Sequence, residues 1–426
     1  QGYKVSGCDE CQNSKILSHL KDIGCQIDHN HNPEHIENAD VLVCSSAIKK
    51  DHPEVIAALE KGIPVIPRAI MLAELMRMKY GIAVSGTHGK TTTTSIISHI
   101  LIEAGLDPTI VIGGVLKNIS ANAKLGAGNS LIAEADESDR SLLYLNPSIA
   151  VVTNIDADHL DTYKNLNDIK QTFKNFLARL PFYGKAILCI DDKNIRSILP
   201  LPHIRAIKYG FSKNADLIGK IVELRKSTSI FDIFINTQSA FFREVCESTN
   251  NSNFCKNTCE KILKLGRIKL NMPGKHNILN SLASIALSLE FDVPFEKIKT
   301  SLKNFKGIER RFEFKGNYKG SEIFDDYGHH PTEIKNTLKI AQLRVKKDLH
   351  IIFQPHRFSR TKKLWKDFIE TFAKNKKIKN LYLADIYPAS EAPIPGITSE
   401  KLAKAIKAKN PNINVINFST YDEIEK

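Results

Sequence analysis

Short apolar runs alternate with amphipathic stretches from the beginning of the chain. Over residues 1–78 the runs YKVSGCD and ADVLVCSSA predict strands. The stretches NSKILSHLKDIG and HPEVIAALEKG predict amphipathic helices that end at Gly24 and Gly62, and a third helix is predicted over RAIMLAELMRM. This alternation is typical of βαβ units and predicts a parallel sheet in a first α/β domain.

A second unit is predicted over residues 79–306. The strand patterns GIAVSG, LIAEAD, IAVVTNI and KAILCI are interleaved with helices that begin after Thr91 and after Asn167. Further along, the pattern changes to shorter strands, GKIVEL, SIFDIFIN and GRIKLNM, with the turn-rich TNNSNF among them. These predict a small antiparallel insertion with an exposed loop.

The remaining residues, 307–426, return to alternating strands and helices. SEIFDDY, LHIIFQ and LYLADIY predict strands, while PTEIKNTLKIAQL and a segment from about Thr361 predict helices. The chain is therefore predicted to be an α/β protein of three domains, which agrees with its length at ~100–200 residues per domain.

Composition narrows the class of protein. A hydrophobic content of 42% and a charged content of 25% are ordinary for a soluble globular chain, and no apolar run approaches the ~20 residues of a membrane span. The net charge of +13 favours anionic partners. The lysines are scattered and the single Trp provides no stacking platform, so we expect phosphorylated metabolites and no nucleic acid.

The eight cysteines are too sparse for a disulfide scaffold and predict reduced thiols in a cytoplasmic protein. Cys8 and Cys11 form a CxxC without a second pair, which does not indicate a zinc ribbon. Cys246, Cys255 and Cys259 have no paired histidine, so we expect no metal site in that segment.

The motif GTHGKT lies between an apolar strand and a Thr-rich helix start. Backbone N–H groups and the positive helix end bind phosphates at such a position, although Val84 stands where the standard phosphate loop has its first Gly. Lys90 would meet the β- and γ-phosphates and Thr91 would place a hydroxyl on Mg²⁺. The residues expected to bind the nucleotide here are Gly86, Thr87, His88, Gly89, Lys90, Thr91 and Thr92.

Two further candidates follow strands of the same unit. Glu134 ends LIAEAD, where a carboxylate could hold Mg²⁺, and a solvated acidic turn is an equally good interpretation of it in isolation. His159 follows IAVVTNI and is a candidate metal ligand or phosphate contact. Ligands bind at the carboxyl edge of open α/β sheets, so three strand-end candidates strengthen one another.

Eight motifs in chain order resemble those of the muramyl ligase family: GTHGKTTTT, EADESD, TNIDADHLDTY, MPGKHNILN, GIERRFEF, DDYGHHPTE, QPHRFSRT and YPASEAPIPG. The likeness covers nearly the whole chain. The first three motifs also fit the wider superfamily, which includes folylpolyglutamate synthetase. DDYGHHP and QPHRFSRT are more specific and are similar to the members that add alanine.

The resemblance implies the fold and the activity. It implies a Rossmann-like UDP-substrate domain (1–78), a central phosphate-loop ATPase domain (79–306) and a Rossmann-like amino-acid-binding domain (307–426). The implied enzyme is a cytoplasmic ligase of peptidoglycan precursor synthesis. It would use ATP and Mg²⁺ to join L-alanine to the carboxylate of UDP-N-acetylmuramate through an acyl phosphate.

The resemblance also implies residue roles. Lys90 and Thr91 would bind ATP phosphates, and the metal ligands would be Thr91, Glu134 and His159. The nucleotide would be contacted by His276, Asn277, Asn280, Arg311 and Tyr327. Asp326 would close on ATP from the third domain. The residues around the incoming alanine and the reacting carboxyl group would be His329, His356, Arg357 and Arg360.

These residue types suit the implied chemistry. Lys90 and Mg²⁺ would neutralise charge on the transferring phosphoryl group. Arg357 or Arg360 can grip the alanine carboxylate bidentately, which a lysine does less well. A histidine can accept the amine proton, and His329 and His356 are both candidates for that base.

Two alternatives stay open from the sequence. One is the related ligase that recycles murein tripeptide, which phosphate release with amino acid or peptide would distinguish. The other is a phosphate-loop ATPase coupled to nucleic acid, which the +13 charge alone suggests.

The chain departs from the family pattern in places. The Gly-rich turn that approaches the uridine diphosphate should precede residue 1, and the family continues beyond residue 426. We therefore expect the chain as given to bind ATP–Mg²⁺ but to bind the UDP-sugar poorly. Where several relatives use a carbamylated lysine, Phe173 stands here with Lys174 beside it, so that modification is not expected.

Overall fold

The computed structural model describes residues 2–10, 15–45, 48–116, 121–159, 162–248, 260–345 and 347–419. The TNNSNF segment and Cys11, Cys255 and Cys259, which the sequence singled out, lie outside the described residues. The chain divides into two compact units, Gln1–Met78 and Lys79–Lys426. Each is described separately.

The first unit is built from two pairs of parallel strands with helices between them. Its strands are β1 (Ser6–Asp9) paired with β2 (Gln26–His29), and β3 (Leu42–Cys44) paired with β4 (Val65–Pro67). Its helices are α1 (Lys15–Asp22), α2 (Pro53–Glu60) and α3 (Arg68–Arg77), with a 3₁₀ turn at Pro33–Ile36. Gly24 and Gly62 follow α1 and α2 with positive φ angles of 93° and 70°, as the sequence predicted.

A ten-stranded sheet forms the centre of the second unit. Its strands in chain order are β5 (Tyr80–Ser85), β6 (Thr109–Leu116), β7 (Ala121–Lys124), β8 (Ser130–Glu134), β9 (Ile149–Val152), β10 (Lys185–Cys189), β11 (Arg205–Gly210), β12 (Leu217–Leu224), β13 (Ser229–Asn236) and β14 (Ile262–Leu270). Their spatial order is β14-β13-β12-β11-β10-β9-β5-β8-β6-β7. In this spatial order, the seven strands from β12 through β9, β5 and β8 to β6 are each parallel to their neighbours, so the predicted α/β class is confirmed.

The predicted antiparallel segment exists but is not a separate insertion. β12, β13 and β14 pair antiparallel, and β12 pairs parallel with β11, so they extend the central sheet. The sequence pattern shows which segments are strands, but it does not show that β12 pairs with β11. A helix that was not predicted, α7 (Ala240–Ser248), lies between β13 and β14 in the chain.

Two long helices pack against each other beside this sheet. They are α4 (Lys90–Glu103) and α8 (Lys275–Glu290), and most of their side chains are buried. Nε2 of His99 in α4 lies 3.0 Å from the carbonyl oxygen of Ser301, which ties α4 to α9 (Phe295–Asn304). This region also contains the helices α5 (Leu166–Leu177) and α6 (Lys193–Ile198), with a 3₁₀ turn at Ser141–Tyr144.

The rest of the second unit has its own sheet and core. β15 (Glu313–Tyr318) and β16 (Ser321–Asp325) form an antiparallel pair, and β17 (Leu349–Phe353), β18 (Ile378–Ala384) and β19 (Asn414–Phe418) form a parallel sheet. The helices are α10 (Pro331–Arg344), α11 (Phe358–Lys363), α12 (Trp365–Ala373) and α13 (Ser399–Lys409). Their core includes the fully buried Phe368, Phe372, Leu381, Leu383 and Leu402.

The cysteines depart from expectation at one position. Cys8, Cys25, Cys44 and Cys189 are free thiols, as predicted. Cys246 is disulfide-bonded, so the prediction of reduced thiols is wrong there. It lies in α7, and the sequence places two further cysteines, Cys255 and Cys259, shortly after it. Among the helices that the structure describes, none is long and apolar enough to cross a membrane.

Candidate active site

The strand-end candidates meet at one edge of the central sheet. β5 lies between β8 and β9 and pairs parallel with both. The 86–89 loop follows β5, Glu134 ends β8, and His159 follows β9. Because carboxyl ends of parallel strands share an edge, the sheet order brings these residues together. Glu134 and His159 follow strands on opposite sides of β5.

The loop before α4 has the geometry of a phosphate cradle. Gly86 has φ 128°, and a Cβ there would lie 2.1 Å from Oγ1 of Thr153. Gly89 (φ 84°) is the N-cap of α4 and has no side-chain cap among the described residues. The first backbone N–H groups of α4 have no intrahelical partner and point out of the helix start. An anion is the natural ligand of such a helix end.

Lys90 is held over this loop by an acidic residue that the sequence reasoning missed. Its Nζ donates to both carboxylate oxygens of Glu137, at 2.9 and 2.7 Å, and to the carbonyl of Gly86 at 2.9 Å. The Glu137 side chain is only 2% exposed. Burial lowers the pKa of Lys90, but Glu137 and neighbouring carboxylates outweigh it and raise the pKa, so Lys90 is charged. The motif EADESD contains Glu137, but the sequence reasoning chose Glu134 because that residue stands at the end of the strand.

Oxygen donors suited to a hard cation lie beside the loop. Oγ1 of Thr91 donates to Oε2 of Glu134 at 3.2 Å, and the N–H of Gly113 donates to Oε1 at 3.0 Å. Burial raises the pKa of Glu134 and outweighs the hydrogen bonds from Gly113 and Thr91 and the charges of Lys90 and Arg311. Nε2 of His159 lies 3.6 Å from Oε1 of Glu137, and the same distance from Oδ2 of Asp158.

His88 links the loop to the third domain. Its Nε2 donates to Oδ2 of Asp156 and its Nδ1 donates to Oε1 of Glu333, both at 3.3 Å. Burial lowers the pKa of His88, but these hydrogen bonds outweigh it and raise the pKa to about 9. Thr332 also donates to Asp156, at 2.8 Å, so a second bond connects the two domains. The sequence assigned His88 to the loop but did not identify Asp156 or Glu333.

A separate group of possible cation ligands lies at this junction. The donor atoms of His88, Asp156 and His330 all lie within 4.8 Å of one another, whereas Glu134 and His159 are not part of a such a group among the described residues. Both ring nitrogens of His88 lie in ion pairs, with Asp156 and Glu333, so these residues form an interdomain contact.

The predicted nucleotide-binding residues of α8 differ in where they point. Asn280 reaches the loop, since a Cβ on Gly89 would lie 2.7 Å from its Oδ1. Asn277 instead donates to the carbonyl of Pro273 at 2.7 Å. Burial, together with Lys339 and Arg311, lowers the pKa of His276 to about 4, so its ring is neutral.

Asp326 organises the turn that carries the third-domain motif. It accepts from the N–H groups of Phe312 and Gly328, at 2.9 and 2.8 Å, and from Oγ1 of Thr337 at 3.1 Å. Burial raises its pKa. Tyr327 is half exposed, and the Arg311 guanidinium lies 5.3 Å from the centre of its ring. The chain thus presents an aromatic face beside a cation at this position.

The third-domain histidines and Arg360 form a chain that leads to the central domain. The rings of His329 and His356 are 6.0 Å apart, and Nη1 of Arg360 lies 3.3 Å from Nδ1 of His356. Nε of Arg360 donates to Oδ1 of Asp158 at 3.2 Å, and both side chains are less than a tenth exposed. Burial raises the pKa of Asp158, but His159, Arg360 and His330 outweigh it and lower the pKa to about 2.

Arg357 is the more open of the two arginines. It is the N-cap residue of α11 and has φ 73°, its side chain is 36% exposed, and its Nη1 is 3.9 Å from Oε1 of Glu391. Glu391 also accepts from the backbone N–H and the hydroxyl of Ser359, at 2.9 and 2.6 Å. The motif YPASEAPIPG, interpreted from sequence as a loop, therefore contributes Glu391 to the site. Tyr387 of the same loop stacks on His356, with ring centres 5.3 Å apart.

Comparison with known proteins gives consistent matches along the chain. Three family profiles match in order: "Mur ligase family, catalytic domain" over residues 1–80, "Mur ligase middle domain" over 84–288, and "Mur ligase, glutamate ligase domain" over 310–426. A UDP-N-acetylmuramate–L-alanine ligase of Geotalea daltonii is 49% identical over 406 residues, which cover 95% of this chain and 82% of that protein. Its counterpart from Desulfatibacillum aliphaticivorans is 47% identical over 408 residues, 96% of this chain and 83% of that protein.

Solved structures share the fold. The UDP-N-acetylmuramate–alanine ligase of Thermotoga maritima has a TM-score of 0.74 at 22% identity, covering 99% of this chain and 86% of that one. A murein peptide ligase of Psychrobacter arcticus has a TM-score of 0.67 at 22% identity, covering 99% and 87%. A MurF ligase of Thermotoga maritima, solved in complex with ADP, has a TM-score of 0.60 at 17% identity, covering 92% and 93%.

Proposed function

The chain belongs to the Mur ligase family, and from that premise we propose that it joins L-alanine to the carboxylate of UDP-N-acetylmuramate, with hydrolysis of ATP to ADP and phosphate. Curated UDP-N-acetylmuramate–L-alanine ligases are 49% identical to this chain over 95% of its length, which supports the assignment. The reaction is a step of peptidoglycan precursor synthesis, and we assign it to the cytoplasm. We assign the UDP-substrate to residues 1–78, ATP to 79–306 and the amino acid to 307–426.

One observation carries the proposal: a phosphate cradle and a proton-accepting site lie on facing elements joined by buried ion pairs. The cradle is the start of α4 with Lys90 above it. The facing side is the His329–His356–Arg360 chain, which Asp158 connects to the central domain. A ligase that activates a carboxylate and then attacks it with an amine needs both sides in one place.

The residues present fit ATP and Mg²⁺. The uncapped start of α4 and the charged Lys90 suit the phosphates, and Asn280 lies beside the loop. Thr91 and Glu134 would hold one Mg²⁺ through oxygen atoms, and His159 would hold a second. When bound, ATP converts the unreactive carboxylate into an acyl phosphate. Lys90 then keeps a positive charge at the position where phosphate charge develops.

His329 fits the role of general base better than His356. Nδ1 of His329 lies 3.2 Å from the carbonyl oxygen of Tyr327, which can only accept a hydrogen bond, so Nδ1 carries the proton and Nε2 presents its lone pair. In His356 the arrangement is reversed, because Nδ1 accepts from Arg360 and Nε2 carries the proton. Burial lowers the pKa of His329 to about 4, so the ring is neutral at pH 7, although a base with this pKa accepts a proton less readily than one with a pKa near 7.

Arg357 fits the grip on the alanine carboxylate better than Arg360. The Arg360 guanidinium is already committed to Asp158 and His356 and is 8% exposed. The Arg357 side chain is 36% exposed, so a substrate carboxylate can reach its guanidinium more easily than that of Arg360. We therefore assign carboxylate binding to Arg357, and to Arg360 the role of holding His356 and the 156–159 segment in place.

Phosphate release with each amino acid tests the proposal. With ATP, Mg²⁺ and UDP-N-acetylmuramate present, release should depend on L-alanine and should yield UDP-N-acetylmuramyl-L-alanine by mass spectrometry. Arg357→Lys should raise KM for alanine by about tenfold or more with little change in KM for ATP, since a bidentate charge-assisted contact is worth roughly 1.5–3 kcal/mol. Lys379→Met, an exposed site away from the cluster, is the matched control.

Two results would contradict this assignment. Release that depends on a tripeptide and not on alanine would indicate the recycling ligase. Stimulation by nucleic acid in the absence of the UDP-sugar would indicate a different class of ATPase. An equal change of both KM values in Arg357→Lys would remove the specific role of Arg357 without affecting the assignment of the reaction.

A further inference from the structure

A cysteine, a histidine and a glutamate converge in the first unit, away from the site described above. Sγ of Cys8 lies 3.2 Å from Nδ1 of His31, and its thiol donates to the carboxylate oxygens of Glu54 at 3.1 and 3.2 Å. Nδ1 of His31 lies 3.8 Å from Oε2 of Glu54. The three residues come from β1, from the segment after β2 and from the first turn of α2. Elements distant in sequence thus place their donor atoms together.

The separations match those between ligands of a tetrahedral ion. With bonds of about 2.3 Å to sulfur and 2.0–2.2 Å to nitrogen or oxygen, neighbouring ligand atoms of a zinc site are roughly 3.3–3.6 Å apart. The observed separations run from 3.1 to 3.8 Å. Each donor therefore needs to move by no more than about half an ångström to reach a common ion.

Two neighbouring histidines complete the arrangement. Nδ1 of His35 lies 2.9 Å from Oε1 of Glu54 and orients the carboxylate, as residues behind metal ligands commonly do. The ring of His52 lies edge-on to that of His31, with centres 4.4 Å apart. Both ring nitrogens of His52 are buried, and neither has a hydrogen-bond partner among the residues that the structure describes. A buried imidazole without a partner is unfavourable unless a ligand satisfies it.

We propose that Cys8, His31 and Glu54 bind a thiophilic divalent cation of the Zn²⁺ class. A sulfur, nitrogen and oxygen donor set favours zinc or cobalt over the Mg²⁺ of the phosphate loop. The ion would fasten β1, the segment after β2 and α2 to one another. Only five apolar side chains are buried among the described residues of this unit, namely Ile36, Val55, Ala58, Ala73 and Met76. A metal link adds stability where the core is this small.

Binding requires one proton to leave. The Cys8 thiol hydrogen now points at Glu54, and the metal takes its place when the sulfur–metal bond forms, so each cation bound should release one proton. Glu54 exchanges an accepted hydrogen bond for a bond to the cation, and His31 binds through the lone pair of Nδ1. No oxidant or other reactant is involved.

Cobalt titration of the full chain tests the site. Co²⁺ should produce thiolate-to-cobalt charge-transfer absorption at one equivalent, and Zn²⁺ should displace it. Cys8→Ser should abolish that absorption, whereas Cys25→Ser, a half-buried cysteine of the same unit, should retain it. His35→Ala should keep the absorption but weaken binding by about 10–100-fold, as expected of a residue that orients a ligand. Calorimetry in buffers of different ionisation enthalpy should count one proton per metal.

Specific outcomes overturn the proposal. Persistence of the charge-transfer absorption in Cys8→Ser would assign it to another thiol, and its absence from the wild-type chain would leave a hydrogen-bonded cluster that binds no metal. Circular dichroism of each metal-free variant verifies that it is folded before titration. Zn²⁺ should also raise the melting temperature of the wild-type chain and leave that of Cys8→Ser unchanged, which separates this site from any binding at the phosphate loop.

Discussion

Replacing Arg360 by methionine removes one partner of a buried ion pair that connects the third domain to the central one. Asp158 and Arg360 are 6% and 8% exposed, and Nε donates to Oδ1 at 3.2 Å. The pKa of Asp158 is about 2 instead of 3.8, because His159, Arg360 and His330 outweigh burial. At about 1.4 kcal/mol per pKa unit, the ionised carboxylate gains roughly 2.5 kcal/mol in the folded state, of which Arg360 supplies a part.

The variant also leaves the carboxylate buried without its guanidinium. Removing one partner of a buried pair costs about 3–5 kcal/mol in other proteins, so we expect Arg360→Met to lower the free energy of unfolding by about 2–4 kcal/mol at pH 7. Since a lowered pKa stabilises above the unfolded value and the benefit is lost as pH falls, the gap to the wild type should narrow from pH 4 towards pH 2. Arg360→Lys keeps the positive charge, so it should lower the free energy of unfolding by less than Arg360→Met does.

Urea unfolding measures the effect through Trp365, the single tryptophan, which packs against the third-domain core. The control is Lys379→Met, whose ion pair with Asp348 is exposed and should contribute below about 1 kcal/mol. Asp158→Asn and the double variant complete a cycle, in which we expect a coupling of about 1 kcal/mol or more between the two positions. A cost no larger than that of the control, or single-variant costs that simply add, would refute the reasoning.

Three further predictions follow from buried charges near the phosphate loop. Asp156 and Glu333 outweigh burial and raise the pKa of His88 to about 9. The charged ring therefore stabilises the fold fully below pH 6.5, and this stability is lost as the pH rises through 9. In urea unfolding, His88→Gln should remove this pH-dependent fall in the free energy of unfolding, which we expect to be about 3 kcal/mol in total. Glu134→Gln should raise the Mg²⁺ concentration for half-maximal activity about tenfold. Burial raises the pKa of Glu134, which means that the buried carboxylate destabilises the fold, so the melting temperature of the variant should be higher than that of the wild type. A lower melting temperature would contradict the inference that this charge is destabilising. Lys90→Ala should lower turnover about 10²–10³-fold, and it should also lower the melting temperature because the buried Glu137 loses its partner. Adding Glu137→Gln to this variant should restore the melting temperature but not the rate of phosphate release.

The elements and the phosphate loop were accessible from the sequence because their signals are local. Apolar periodicity set the strands β5, β8, β9 and β10 near their observed bounds. The glycines of the GTHGKT loop have positive φ and one close backbone approach, requirements that a sequence expresses directly as Gly. Helix α10 begins at Pro331 with a capping box on Glu333, as its HisHisPro sequence suggests.

The partners of those residues were decided by the tertiary structure. His88 pairs with Glu333 across 245 residues of chain, Arg360 pairs with Asp158 across 202, and Cys8 meets Glu54 across 46. No periodicity encodes such pairs, because a side chain's neighbours across domains depend on strand order and helix packing. The position of β5 between β8 and β9 is the clearest example. The sequence therefore specified which residues could perform the chemistry, and the order of the strands decided which of them stand close enough to act together.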